Sequence, residues 1–89
     1  MNSIIIDSNF LIGLLDDQDI WHSKATNIKT EIQNQKLTIV YFDCVISESL
    51  STIAKRFEGK KRFKEFPKTI TKLQNLVSVN EVTWVYPEV

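Results

Sequence analysis

The chain has 89 residues, of which 43% are hydrophobic and 25% charged, with one cysteine and only two each of glycine and proline. That composition excludes disordered, collagen-like and disulfide-stapled classes, and the length fits one domain with one small core. Eleven basic and eleven acidic residues cancel, so no global charge marks a partner, and no apolar run reaches the roughly 18–20 residues of a membrane span.

Ser3-Ile4-Ile5-Ile6 is short, β-branched and continuous, which predicts a strand buried on both faces in a parallel sheet. Ser8 and Asn9 are good helix starters, and Phe10, Leu11, Leu14 and Leu15 follow at helical spacing until Asp16-Asp17-Gln18-Asp19 closes the helix. A second helix is predicted from about Ser23, with Ala25, Ile28 and Ile32 on one face. Leu37 to Phe42 reads as a second strand, with Asp43 capping the helix behind it. In that helix Ile46, Leu50, Ile53 and Phe57 form an amphipathic stripe, and Gly59 is the expected stop. Phe63, Phe66, Ile70 and Leu73 predict another helix, kinked or begun by Pro67. Leu76 to Val79 and Val82 to Tyr86 are β-rich and predict a third strand. Strand, helices, strand, helices, strand is the grammar of an α/β fold with a short parallel sheet and helical crossovers.

In open α/β sheets ligands collect beyond the carboxyl ends of the strands. Asp7 follows the first strand directly, and Glu48 lies in the second turn of the helix after the second strand. Two carboxylates meeting at that rim repel unless a cation intervenes, and oxygen-only ligands favour Mg²⁺ or Mn²⁺. Such an ion could activate water beside a phosphate, and Asn9 could add a neutral oxygen. A plain reading stands beside this one, in which Asp7 starts a loop and Glu48 faces solvent. Charge is also unevenly placed: residues 1–48 carry net −4, residues 49–72 net +6 and the remainder net −2. An acidic half beside a basic stretch, Lys55 to Lys72, suits a site that gathers cations and holds a polyanion, or is simply a solvated lysine-rich face.

Ile4-Ile5-Ile6-Asp7-Ser8-Asn9-Phe10-Leu11-Ile12 resembles the opening of PIN domains, the metal-dependent ribonuclease fold. Asp19 to Ala25 looks like that family's loop and helix start. Leu37 to Leu50 looks like its second strand and acid-bearing helix, and Val77 to Val82 like its third strand. The small VapC-type toxins of bacterial toxin–antitoxin pairs are the nearest in style. The resemblance implies a three-layer α/β/α arrangement, with Asp7 and Glu48 as the first two metal-coordinating, catalytic acids and Asn9 as an auxiliary. It implies Mg²⁺ or Mn²⁺ as cofactor and RNA phosphodiester hydrolysis; the cytoplasm is the compartment expected separately, from the lone cysteine and from an opening apolar run that is cut by Asp7 and has no basic lead. PIN domains draw at least one further acid from beyond the third strand, where this chain has ended, and their last strands flank the first. The resemblance therefore implies a single, truncated PIN-like domain with an incomplete active site. It also implies an unpaired, sticky edge on the first strand. Three readings follow: a piece of a longer protein, a decayed relative, or a chain completed by another. The last two make it a binding module that self-associates into a homo-oligomer or takes an antitoxin-like protein.

Four further features have plainer readings. His22 has no Cys or His at metal spacing, which argues against zinc. Trp21 is expected to pack on the core, as are Phe63 and Phe66 if they do not face a partner or stack on bases. Cys44 is expected to be a small buried hydrophobe. Trp84 and Tyr86 would cap the core or line an interface.

Overall fold

A computed structural model describes residues 2–78 and 81–83, the last three by backbone alone. The elements are β1 (Ser3–Ile5), α1 (Ser8–Leu15), α2 (His22–Asn34), β2 (Thr38–Phe42), α3 (Asp43–Gly59), a 3-10 turn (Phe63–Glu65), α4 (Phe66–Ser78) and β3 (Glu81–Thr83). The strands form one parallel sheet in the order β1-β2-β3. The α/β class and the parallel sheet expected from the sequence are both present.

Register decides which side chains meet the helices. Ile4 lies opposite Ile39, and Ile5 opposite Val40. Strand side chains alternate between faces, so Ile4, Ile6, Ile39 and Tyr41 share one face. Leu11, Ile12 and Leu15 of α1, Ile32 of α2, Ile53 and Phe57 of α3 and Leu73 of α4 pack into one cluster with Ile6, Ile39 and Tyr41. All four helices therefore cover the same face. Strand order explains why: two right-handed crossovers stepping in the same direction place their helices on the same side. The three-layer arrangement expected from the sequence is thus represented by two layers among the described residues. Ile5, expected to be buried on both faces, is 61% exposed, because it points to the other side on a strand that is paired along one edge among the described residues.

Helix ends depart from the sequence expectation in instructive ways. The cap of α1 is Asp7 rather than Ser8 or Asn9; its Oδ1 accepts from the Phe10 N–H at 2.9 Å. Asp43 is the first residue of α3 and not its cap, a place taken by Phe42. Gly59 closes α3 without a left-handed turn, and the left-handed positions fall instead on Lys36 and Lys61, each at φ 56°. Both helices end in the same hydrogen-bonded motif. After α2, Leu37 N–H reaches the Ile32 carbonyl and Lys36 N–H that of Gln33; after α3, Arg62 N–H reaches Phe57 and Lys61 N–H reaches Glu58. The apolar contact that usually accompanies this motif is supplied in the second case by Arg62, whose guanidinium sits 4.5 Å above the Phe57 ring.

Gly13 lets α2 approach α1: a Cβ there would lie 3.3 Å from that of Ala25. The residues Leu76 and Val77, read from sequence as strand, continue α4, which runs to Ser78. The β-rich run after them begins β3 at Glu81, while Val79, Asn80 and the expected Trp84 to Tyr86 extension lie outside the described residues. Pro67 occupies the first turn of α4, where its missing N–H costs nothing. No helix among the described residues is long and apolar enough to cross a membrane.

Candidate functional site

The carboxyl ends of β1 and β2 form one rim. Asp7 leaves β1 and caps α1, and Glu48 sits in the second turn of α3, where the helix phase turns it away from Ile53 and Phe57. Ser8 links the two segments: its hydroxyl donates to Glu48 Oε1 at 3.0 Å. Ser49, fully buried one residue further on, donates to the Val45 carbonyl at 2.7 Å and lies 3.5 Å from the Ser8 carbonyl. A small side chain at that point lets α3 meet the start of α1, and this brings Glu48 to the residue next to Asp7. Asp7, Asn9 and Glu48 are all exposed.

Each acid has one oxygen engaged by a local donor, the Phe10 N–H for Asp7 and the Ser8 hydroxyl for Glu48. Each carboxylate keeps a second oxygen that could meet a hydrated cation. Mg²⁺ is commonly held by one or two carboxylates while keeping several waters, so the pair fits such an ion in part. No cluster of three or more His, Cys, Asp or Glu side chains able to hold a metal occurs among the described residues. Cys44, expected to be buried, is exposed in the first turn of α3.

The basic stretch is spent partly inside the protein. Asp16, 2% exposed at the end of α1, accepts from Arg62 at 2.9 Å and Arg56 at 3.3 Å, and from the Gln18 N–H. Arg56 also donates to Asp19 at 2.6 Å, and Arg62 to both oxygens of Glu65. Burial acts to raise the Asp16 pKa, but the Arg62 hydrogen bond, the Gln18 N–H and Arg56 outweigh it, and the carboxyl stays below its ordinary value. Asp19 is lowered in the same way, with Arg56 and the Trp21 N–H outweighing burial. Hydrogen bonds from Arg62 lower Glu65, and those of Glu65 and Asp16 raise Arg62. Lys72 Nζ donates to the Leu14 and Leu15 carbonyls, each at 3.5 Å, where the end of α1 presents unpaired acceptors. Lys55, Lys60, Lys61, Lys64 and Lys68 remain exposed.

The sequence reading missed this network. Its signal was present in the opposite net charges of residues 1–48 and 49–72, which mark internal pairing as readily as an external polyanion. Ser8, weighed only as a helix starter, is the hinge of the rim. His22 donates through Nδ1 to the Gly13 carbonyl at 2.7 Å and so braces α2 on α1. Trp21, expected on the core, is 55% exposed with Lys24 5.4 Å above its ring. Of the two phenylalanines, Phe66 packs edge-on against Phe57 while Phe63 is exposed.

No family model, curated protein or solved structure matches this chain.

Proposed function

We propose that the chain is a PIN-like, Mg²⁺- or Mn²⁺-dependent endoribonuclease unit of the toxin–antitoxin kind, whose carboxylate rim is contributed by Asp7 and Glu48. The observation that carries this is the hydrogen bond from Ser8 to Glu48, which joins the end of β1 to α3 across forty residues of chain. Asp7 and Glu48 would hold the ion, and Asn9 would face it from the first turn of α1. A divalent ion bound there supplies a water of lowered pKa and neutralises phosphate charge. The exposed lysines between Lys55 and Lys68 would guide the RNA backbone through a salt-dependent attraction. A further acid would be needed to complete the ligand set, and none joins Asp7 and Glu48 among the described residues.

The test is cleavage of single-stranded RNA by the full chain with Mg²⁺ or Mn²⁺. Asn caps helices as well as Asp, so Asp7→Asn removes charge while keeping the cap of α1. Chelator-sensitive cleavage lost in Asp7→Asn supports the proposal; cleavage indifferent to Asp7→Asn refutes it. A second reading, a non-catalytic module that pairs with itself or an antitoxin-like protein, is favoured by Ile5, exposed on the edge strand. A chain that stays monomeric at high concentration and shows metal-dependent cleavage would exclude its self-pairing form.

A further inference from the structure

At the opposite end of β2 from the acids, the fold encloses a second feature. A cavity of about 710 Å³ opens between α2, α4, the end of α1 and the start of β2. Its volume lies within the range of pockets that hold small molecules. Leu14, Ile32 and Leu76 supply apolar wall, and the ammonium-bearing side chains of Lys29, Lys36 and Lys72 stand around it. None of the described residues lining it is acidic. In a chain of zero net charge, three cations about a cavity of mixed polar and apolar lining, with no carboxylate among its described residues, is a local imbalance that calls for an anion.

Backbone conformation fixes where Lys36 stands at the cavity edge. Lys36 sits at φ 56°, a left-handed position where glycine would be cheaper by roughly 1 kcal/mol. The same conformation closes α3 at Lys61, so it belongs to helix closure; here it places a lysine beside the cavity. Lys72 is anchored near the opening by the Leu14 and Leu15 carbonyls, and one nitrogen of His22 is committed to Gly13. The ammonium groups of Lys29 and Lys36 are thus the ones to meet an incoming anion.

We propose that this cavity binds a small amphiphilic anion, a carboxylate- or phosphate-headed molecule with an apolar body. The apolar body lies against Leu14, Ile32 and Leu76, and the head meets the lysines. A nucleic acid strand is a poorer fit, because the concave apolar wall offers its backbone no continuous track. The site is independent of the carboxylate rim, so its failure would leave the nuclease proposal untouched.

The experiment titrates the full chain with octanoate, octyl phosphate, octanol and inorganic phosphate, read by calorimetry and amide shifts. The expected result is binding of octanoate or octyl phosphate with shifts at Leu14, Ile32, Leu37 and Leu76. The stronger of the two identifies the head group. Octanol should bind about ten-fold more weakly, for want of one charge-assisted contact. Lys29→Gln combined with Lys36→Gly should cost a similar factor while leaving the thermal midpoint no lower than the parent's. High salt should weaken the parent's binding, a check that needs no variant. Equal affinity for octanol and octanoate, salt-independent binding, or shifts confined to other parts of the chain would overturn the proposal. So would displacement of octanoate by oligouridylate.

Discussion

The Ser8 hydroxyl donates to Glu48 Oε1 at 3.0 Å, and with it the turn after β1 is tied to the second turn of α3. Ser8→Ala leaves the Asp7 cap in place but frees Glu48 to sample other rotamers. Partners that orient a metal-binding side chain typically contribute 10–100-fold in affinity. Ser8→Ala should therefore weaken Mn²⁺ binding at the rim by about ten-fold and change stability by less than about 1 kcal/mol, as for one exposed hydrogen bond. Metal titration and urea denaturation on the same samples check both halves.

Asp16 is the buried anion on which Arg56 and Arg62 converge. Arg56 keeps Asp19 and Arg62 keeps Glu65 when Asp16 is removed, so Asp16→Ala should cost about 1–3 kcal/mol in urea denaturation at neutral pH, as for lost hydrogen bonds to a charged group. The carboxyls of Asp16, Asp19 and Glu65 are all lowered in the folded state. Their stabilisation is complete above the ordinary values of 3.8 and 4.5 and is lost as pH falls through the lower folded values. The thermal midpoint should fall steeply with acid below about pH 4.5, and less steeply in Asp16→Ala.

Tyr41 lies wholly within the core and its hydroxyl has no hydrogen-bond partner among the described residues. Burial pushes its pKa up to about 12 from an ordinary 10.0. Tyr41→Phe removes an unsatisfied hydroxyl and should stabilise the fold by about 1 kcal/mol. In the parent, stability is intact below pH 10 and declines as pH rises from there toward 12, because the unfolded chain ionises first. Tyr41→Phe should flatten that alkaline decline, as denaturant midpoints from pH 9 to 11 would show.

Lys61 closes α3 in the left-handed region. Lys61→Gly should stabilise by about 0.5–1 kcal/mol, with the relieved strain partly offset by the entropy of the freer unfolded chain. Gly59→Ala should also stabilise, because Gly59 has no positive φ and nothing lies within 4 Å of an added Cβ. A pair of thermal melts checks both substitutions.

The alternation of apolar runs with 3.6-residue stripes made the order of strands and helices legible, and placing Asp7 and Glu48 after strands needed nothing more. Other features depended on neighbours distant in the chain. Ile5 reads as a core residue until strand order leaves its face open. Leu76 and Val77 are as apolar as a strand, and only continuity with Leu73 on α4 makes them helical. Left-handed closure fell to Lys36 and Lys61 against intrinsic preference, because the paired carbonyls of Ile32 and Phe57 determine where each turn closes. Arg56 and Arg62 looked like part of a polyanion track, and only their approach to Asp16 and Asp19 shows that they serve the interior.

The most direct measurement is Mn²⁺-induced broadening of backbone amide signals in the parent, Asp7→Asn and Glu48→Gln. A shared ion should broaden Ser8 and Asn9 together with Ser47 to Ser49 at one concentration, and both effects should vanish together in either variant. Broadening at one segment alone, or broadening that survives both substitutions, would contradict a common ion at this rim.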